Sequence, residues 1–364
     1  MAKEQMLGGQ ARAVPRILGD YHTHTNNSDG HDTVETMVRA AAERGLSEIA
    51  ITDHGPGKLI GRISPKKYSM VKALAEKTGI ENNIKVYFGI EANVTGTNGQ
   101  IDVKCEDLCS TAGKGAGNSA KDKTDKDKPD TTSQNSEQTG GGCIDILLCG
   151  IHRTVMPANI SSFFTFFLPN WFWSLIGWTP RGRVIKNTEV IKRVISNNNI
   201  AIWTHPNRYF RLDVVEAAKV CAERGTLIEL NGKRISFRPI DFERMLSVGA
   251  KFIIGSDAHR AGRVAEVGRV WDFLSLCDYK DEDIVNLNGL FHRGTPMQIP
   301  SISDKPETYK PEPKPEANQM PKQTENQPET NPKNKKELKK QNREIKKNLK
   351  KEKKQQKEQI KNKK

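Results

Sequence analysis

Seven short apolar runs, at 14–18, 47–51, 84–90, 144–148, 200–203, 226–230 and 252–254, alternate with stretches whose apolar residues recur every three or four positions. The runs read as strands buried on both faces, and the intervening stretches as amphipathic helices at 33–44, 68–77, 188–196, 214–223, 240–248 and 264–276. In the first helix Val34, Met37, Val38 and Ala41 form the apolar face, and Gly45 stands where a C-cap glycine ends a helix. Asp213 precedes Val214 at a helix N-cap position. Strands each followed by a crossover helix imply parallel βα units.

Two segments break the alternation. Residues 110–142 are Gly, Ser, Thr, Lys, Asp and Gln with almost nothing to bury, and read as a disordered insertion in a surface loop. Residues 160–178 carry Phe163, Phe164, Phe166, Phe167, Trp171, Phe172, Trp173 and Trp178 without a charge. This segment approaches the length of a membrane span, but Pro169 and Asn170 divide it, and a span would separate residues that must share one site. The expected role is an aromatic lid or extra hydrophobic layer over a pocket, with a protein or membrane-surface contact as the alternative.

The chain has 364 residues and a formal net charge of +14. Most of that excess lies beyond residue 300, so the basic balance describes a tail rather than the folded body. Four parts follow: a flexible N-terminus at 1–13, one domain at 14–293, a Pro/Glu/Gln-rich spacer at 294–330 and a Lys-rich disordered tail at 331–364 with 16 basic and 4 acidic residues. The tail is a solubilising end, or adheres to nucleic acid or an anionic surface. Six cysteines form no tight CxxC pair, which favours reduced, packed thiols; zinc held by Cys105, Cys109 and Cys143 is the alternative to an irregular loop flank. Met1 is not followed by an apolar segment of signal-peptide length, so a cytoplasmic location is expected.

The chemistry gathers where the apolar runs end. There the chain places Asp20-Tyr21-His22-Thr23-His24, Ser28-Asp29-Gly30-His31, Thr52-Asp53-His54, Glu91, His152, Thr204-His205-Pro206 and Ser256-Asp257-Ala258-His259; only His292 falls outside the pattern. Alternate residues leaving a strand point the same way, so His22 and His24 can grip one ion, and Asp257 and His259 repeat that spacing. Imidazoles and carboxylates delivered from so many strand ends are the material of a multi-metal hydrolytic site. A closed (β/α) barrel brings all such ends to one face, whereas an open sheet does so only at a strand-order switch. The count of runs indicates a distorted seven-stranded barrel.

These motifs, in this order from about residue 20 to 260, resemble the PHP (polymerase and histidinol phosphatase) family, and the absence of a polymerase-like portion points to a standalone member similar to histidinol phosphatases and YcdX-like phosphatases. The resemblance implies a distorted, TIM-like (β/α)7 barrel with a trinuclear metal site and phosphoester hydrolysis. By the same resemblance, His22, His24, Glu91 and Asp257 hold one metal, and Glu91 bridges to a second held by His152 and His205. His54 and His259 hold a third, completed by Asp29 or His31, with Asp29 preferred. Zinc, manganese or iron suits these donors.

Glu91 and Asp257 are thus the central catalytic acids. Asp53 is expected to orient an imidazole or a leaving group, or else to start the following loop; Ser256 polarises a neighbour or caps a turn. Arg153, Arg208 and Arg260, then Lys58, are candidate phosphate clamps, with Arg181 and Arg183 behind them. The expected reaction is hydrolysis of a small phosphorylated metabolite, a phosphomonoester, by a hydroxide bridging two cations about 3.5–4 Å apart. The alternatives are a nucleic-acid phosphodiesterase and a non-catalytic metal-binding partner module.

Overall fold

The computed structural model describes residues 16–104 and 144–290. The expected loop insertion, spacer and Lys-rich tail, together with Cys105, Cys109, Cys143 and His292, lie outside the described residues.

Seven strands, β1 (Gly19–Asp20), β2 (Glu48–His54), β3 (Lys85–Asn93), β4 (Ile146–Gly150), β5 (Ile202–Trp203), β6 (Leu227–Asn231) and β7 (Phe252–Gly255), pair in sequence order, every pair parallel. Past the strand ends, Thr23 bridges Ala258 in parallel, and the His24 N–H donates to the Ala258 carbonyl at 2.8 Å. The first and last strands therefore meet, and the sheet is a nearly closed, distorted barrel. Outside it lie α1 (Val34–Glu43), α2 (Tyr68–Glu81), α5 (Arg181–Asn197), α6 (Val214–Arg224), α7 (Pro239–Ser247), α8 (Gly268–Leu274) and α9 (Val285–Asn288).

The continuous apolar runs reflect burial on both faces. Tyr21, Ala50, Tyr87, Ile146, Leu148, Ile202, Leu227 and Ile253 fill the barrel interior, while their strand neighbours Ile49, Ile51, Phe88, Leu147, Ile228 and Ile254 pack outward against the helices. At the floor, the Tyr21 hydroxyl donates to the buried Glu48 carboxylate at 2.5 Å. Asp213 caps α6 through its side chain, as the sequence indicates, and Thr33 caps α1 in the same way.

Four elements differ from the sequence reading, among them α5, which starts at Arg181 rather than 188. The first strand forms at Gly19–Asp20; of the expected run, the described residues 16–18 are not strand, and the Leu18 N–H is taken by the Asn286 carbonyl. The last long helix shortens to Gly268–Leu274; Ala265, at φ +58°, interrupts the chain after a 3-10 turn at Ala261–Arg263. The aromatic segment forms three contiguous helical pieces, α3 (Ile160–Ser162), a π-helical turn (Phe163–Phe167) and α4 (Leu168–Ile176). Pro169 does not divide them; the Thr165 carbonyl four residues before it, which a proline cannot serve, accepts from Arg183 at 2.6 Å instead. Among the described residues no helix is long and apolar enough to cross a membrane.

Candidate metal centre

Register sets the site. β2 and β3 pair so that His54 stands beside Glu91, and β3 pairs with β4 through Asn93 and Gly150. The strand ends are thus level, and the loops beyond them deliver their side chains to one place.

His22 and His24 leave β1 two residues apart, and their Nε2 atoms converge at 3.1 Å. The His22 ring is aimed from behind: its Nδ1 lies 2.6 Å from Glu229 Oε1. Burial pushes the His22 imidazole down in pKa, but Glu229, Glu91 and Asp257 outweigh it and raise it well above its ordinary value. Glu229 also accepts the His205 backbone N–H at 2.7 Å and the Asn231 amide at 3.1 Å, so one buried carboxylate orients two candidate ligands.

Glu91 lies at the centre. Its Oε1 is 2.8 Å from His205 Nε2 and 3.3 Å from His152 Nε2, and accepts from the Thr204 hydroxyl at 2.8 Å. Its Oε2 is 2.9 Å from His54 Nδ1, 3.4 Å from His22 Nε2 and 3.6 Å from His24 Nε2. Burial alone would raise this carboxyl, yet His152, His22, His54 and His205 hold it well below the usual carboxylate range. Burial also pushes His152 down, to about 4, against the pull of Glu91.

Asp257 Oδ1 lies 3.4 Å from His24 Nε2, 3.1 Å from Lys233 Nζ and 3.5 Å from His259 Nδ1, while Oδ2 accepts from Arg208 at 3.0 Å. On the other flank, Asp29 Oδ1 is 3.2 Å from His259 Nε2; its Oδ2 is 3.4 Å from His54 Nε2 and 2.6 Å from Lys58 Nζ.

Three groups have donor atoms within 4.8 Å of one another: His22, His24 and Asp257; His54, Glu91 and His152; and His24, Asp29, His54 and His259. His24 and His54 are each shared between two groups, whereas Glu91, expected to bridge two sets, falls in one, and His205 joins none. Asp29 joins a group. His31 does not; it is exposed, with its Nε2 3.5 Å from Arg260.

The donors fit divalent ions. Among the buried polar atoms without a hydrogen-bond partner are Nδ1 of His24, His54 and His152, Oδ1 of Asp29 and Oε2 of Glu91. Two of them, His54 Nδ1 and Glu91 Oε2, lie 2.9 Å apart without hydrogen-bond geometry, and a buried polar group left unsatisfied costs about 1–3 kcal/mol, which a shared cation would relieve. The backbone is also strained here: His205 and Asp257 adopt φ of +31° and +55°, a region that disfavours side-chain-bearing residues. Two glycines make room for the rings. A Cβ at Gly150 would come within 2.7 Å of the His205 ring and 3.1 Å of the His152 ring, and one at Gly255 within 3.0 Å of the His22 Cβ.

A pocket of about 270 Å³ opens on the cluster, lined by Lys58, Arg153, Arg208, Tyr209 and Lys233 beside the candidate ligands. Arg260, expected as a clamp, is not among the lining residues; its side chain turns outward to His31. Arg183 donates to the Thr165 carbonyl instead, and Arg181 is exposed outside the lining. The 160–178 segment does not cover the pocket either. Phe166 and Phe167 pack on Phe210, and the Ser174 hydroxyl donates to the Tyr209 carbonyl, so the segment buttresses the pocket wall from behind.

Asp53 faces away from the imidazoles because strand alternation sends it opposite His54. Its carboxylate accepts from the Thr25 N–H and the Thr25 and Ser28 hydroxyls, and thereby ties down the loop that carries Asp29. Ser256 accepts the Ala258 N–H and so caps the turn. Sequence reasoning passed over Glu229, Asn231, Lys233 and Tyr209. The signal for the first two was present: an acid and an amide alternate with Ile228 and Leu230 inside an otherwise apolar strand. Tyr209, packed edge-on against His205, and Lys233 sit on loops without such a signal.

Part of the cluster falls in a stretch similar to a known domain. Residues 20–154 match the PHP domain model. A protein of Proteus mirabilis named "Probable phosphatase" is 24% identical over 277 residues, 73% of this chain and 89% of its own. Another of that name, from Acetivibrio thermocellus, is 23% identical over 282 residues, 74% of this chain and 91% of its own. Histidinol phosphate phosphatase from Lactococcus lactis is a structural neighbour at TM-score 0.41 and 14% identity, covering 70% of this chain and 91% of that one. The span that matches the PHP domain model contains His22, His24, Asp29, His54, Glu91 and His152.

Proposed function

We propose that this protein is a metal-dependent phosphoesterase that hydrolyses a small phosphomonoester. The observation that carries the reading is Glu91, a fully buried carboxylate ringed by five imidazoles at the foot of a cationic pocket. His22, His24 and Asp257 would hold one ion, His54, Glu91, His152 and His205 a second, and His24, Asp29, His54 and His259 a third. Zinc, manganese or iron suits such mixed imidazole and carboxylate donors. When bound, divalent ions acidify water and neutralise charge on phosphoryl oxygens.

The protein's own part is to bind and orient. Arg208, with a planar pair of donors, and Lys233 and Lys58, as point charges, line the side of the pocket where a phosphoryl group would meet the cluster. Arg153 lies 5.7 Å over the Tyr209 ring, which Arg208 also approaches at 5.5 Å, so the aromatic wall spaces the two guanidinium groups. A volume of about 270 Å³ suits a phosphate with a small leaving group better than a nucleic-acid strand. The names of the relatives agree with this reading. The buried free thiols of Cys149 and Cys221 support a reducing, cytoplasmic setting.

The test is hydrolysis of a panel of phosphomonoesters and phosphodiesters with added Mn²⁺ or Zn²⁺. Turnover of monoesters that His24→Ala abolishes supports the proposal. Equal rates in parent and variant, or a clear preference for diesters, would overturn it.

A further inference from the structure

Helices of a folded protein turn their apolar stripe inward, yet the one at 160–176 also carries a stripe outward. Ile160, Phe164, Leu168, Phe172 and Ile176 recur every four residues and are all exposed, Leu175 beside them is 88% exposed, and Trp178 follows at 61%. The opposite face is satisfied inside the fold: Phe166 and Phe167 are buried, and the buried Asn170 exchanges two 2.8 Å hydrogen bonds with Asn187. The helix is thus anchored on one side and presents a continuous apolar strip on the other, far more than the scattered apolar residues of an ordinary surface.

Charge selects the occupant. From residue 146 to 188 the chain contains no Asp or Glu, while Arg181 and Lys186, both exposed, follow the strip directly. An acid-free aromatic strip, a terminal tryptophan and neighbouring cations are the composition of a helix lying in the headgroup region of an anionic bilayer. A protein partner would be expected to meet charges of both signs at the rim. At about 25 Å the helix is long enough to lie in the interface. The Lys-rich sequence at 331–364, 16 basic residues against 4 acidic, supplies the second, electrostatic signal that durable peripheral binding needs.

We propose that the exposed strip of residues 160–178 seats this protein on a membrane surface bearing anionic phospholipids. Because Ser174 is bonded to the Tyr209 carbonyl, the seated face adjoins the pocket wall.

The test uses the full chain and flotation with two sets of vesicles, phosphatidylcholine alone and phosphatidylcholine with roughly a third phosphatidylglycerol. The protein should float with the anionic vesicles, and the double variant F172E/L175E should partition at least about tenfold less. Hydrolysis of a soluble phosphomonoester without vesicles should stay at the parental rate, which separates this proposal from the catalytic one. Tryptophan quenching by lipids brominated in the acyl chain reads insertion in the unaltered protein, should the variant fail to fold; Trp178→Phe should diminish it. Equal flotation of parent and F172E/L175E would assign binding to the tail and overturn the proposal. So would failure of the parent to float, absence of quenching, or a solution dimer that F172E/L175E dissociates.

Discussion

Glu229 offers a sharp test of how the centre is built, because it would touch no ion and yet aims His22 and His205. Its carboxylate accepts from His22 Nδ1 at 2.6 Å, from the His205 N–H at 2.7 Å and from the Asn231 amide at 3.1 Å, all buried. Glu229→Ala strands at least two strong donors, each costing about 1–3 kcal/mol, so the metal-free protein should lose on the order of 3–5 kcal/mol. Glu229→Gln keeps the volume and one acceptor and should lose only about 1–2 kcal/mol. One of the three charges that raise His22 is gone in both variants. Loss of the orienting acceptor behind a ligating histidine typically costs ten- to a hundred-fold in metal affinity, or about 1.4–2.7 kcal/mol. Denaturant unfolding of the metal-free protein measures the first quantity, and calorimetric titration with Mn²⁺ or Zn²⁺ the second. A folded Glu229→Gln protein that binds metal with parental affinity and stoichiometry would refute the assignment of Glu229 as the support of His22.

Further outcomes follow from single contacts. Gly150→Ala forces a methyl group against the His205 and His152 rings, so phosphatase activity should fall more than about tenfold while the melting temperature moves by only a few degrees; full activity would show that those rings need not be held where they stand. Arg208→Met removes a planar cation from the pocket and should lower kcat/KM by roughly ten- to a hundred-fold, with metal content intact by elemental analysis. Asp53→Ala strands the Thr25 N–H and two hydroxyls and should destabilise the fold by about 2–4 kcal/mol in urea; a purely catalytic defect with parental stability would contradict its role as a tether. Burial, reinforced by Glu243, pushes the Cys277 thiol up to about 11. Only about a thousandth of it is thiolate at pH 8, so its alkylation, followed by peptide mass spectrometry, should rise about tenfold per pH unit and level off only near pH 11.

The barrel was legible because burial on both faces writes each strand as an unbroken apolar run, and β2, β3, β4, β6 and β7 stand within a few residues of their expected positions. β1 was misplaced because pairing at its start is settled by Asn286, more than 260 residues away, which a local pattern does not register. The histidines were legible through their motifs at strand ends. Their grouping was not: sharing of His24 and His54 between clusters depends on ring positions across the barrel mouth. Asp53 shows the limit of adjacency, since the neighbour of a candidate ligand on a strand points the other way. The outward strip at 160–176 shows another, because its composition alone does not say which of two apolar faces is buried.

The central claim is that Glu91, Asp257, Asp29 and six of the histidines surround a cluster of divalent ions. Anomalous X-ray scattering from crystals grown with Mn²⁺ or Zn²⁺ tests it most directly. The account predicts peaks about 2.0–2.2 Å from His22 Nε2, His152 Nε2 and a carboxylate oxygen of Glu91. Saturating metal that leaves this cluster without a peak, with Glu91 bonded only to protonated imidazoles, would contradict it.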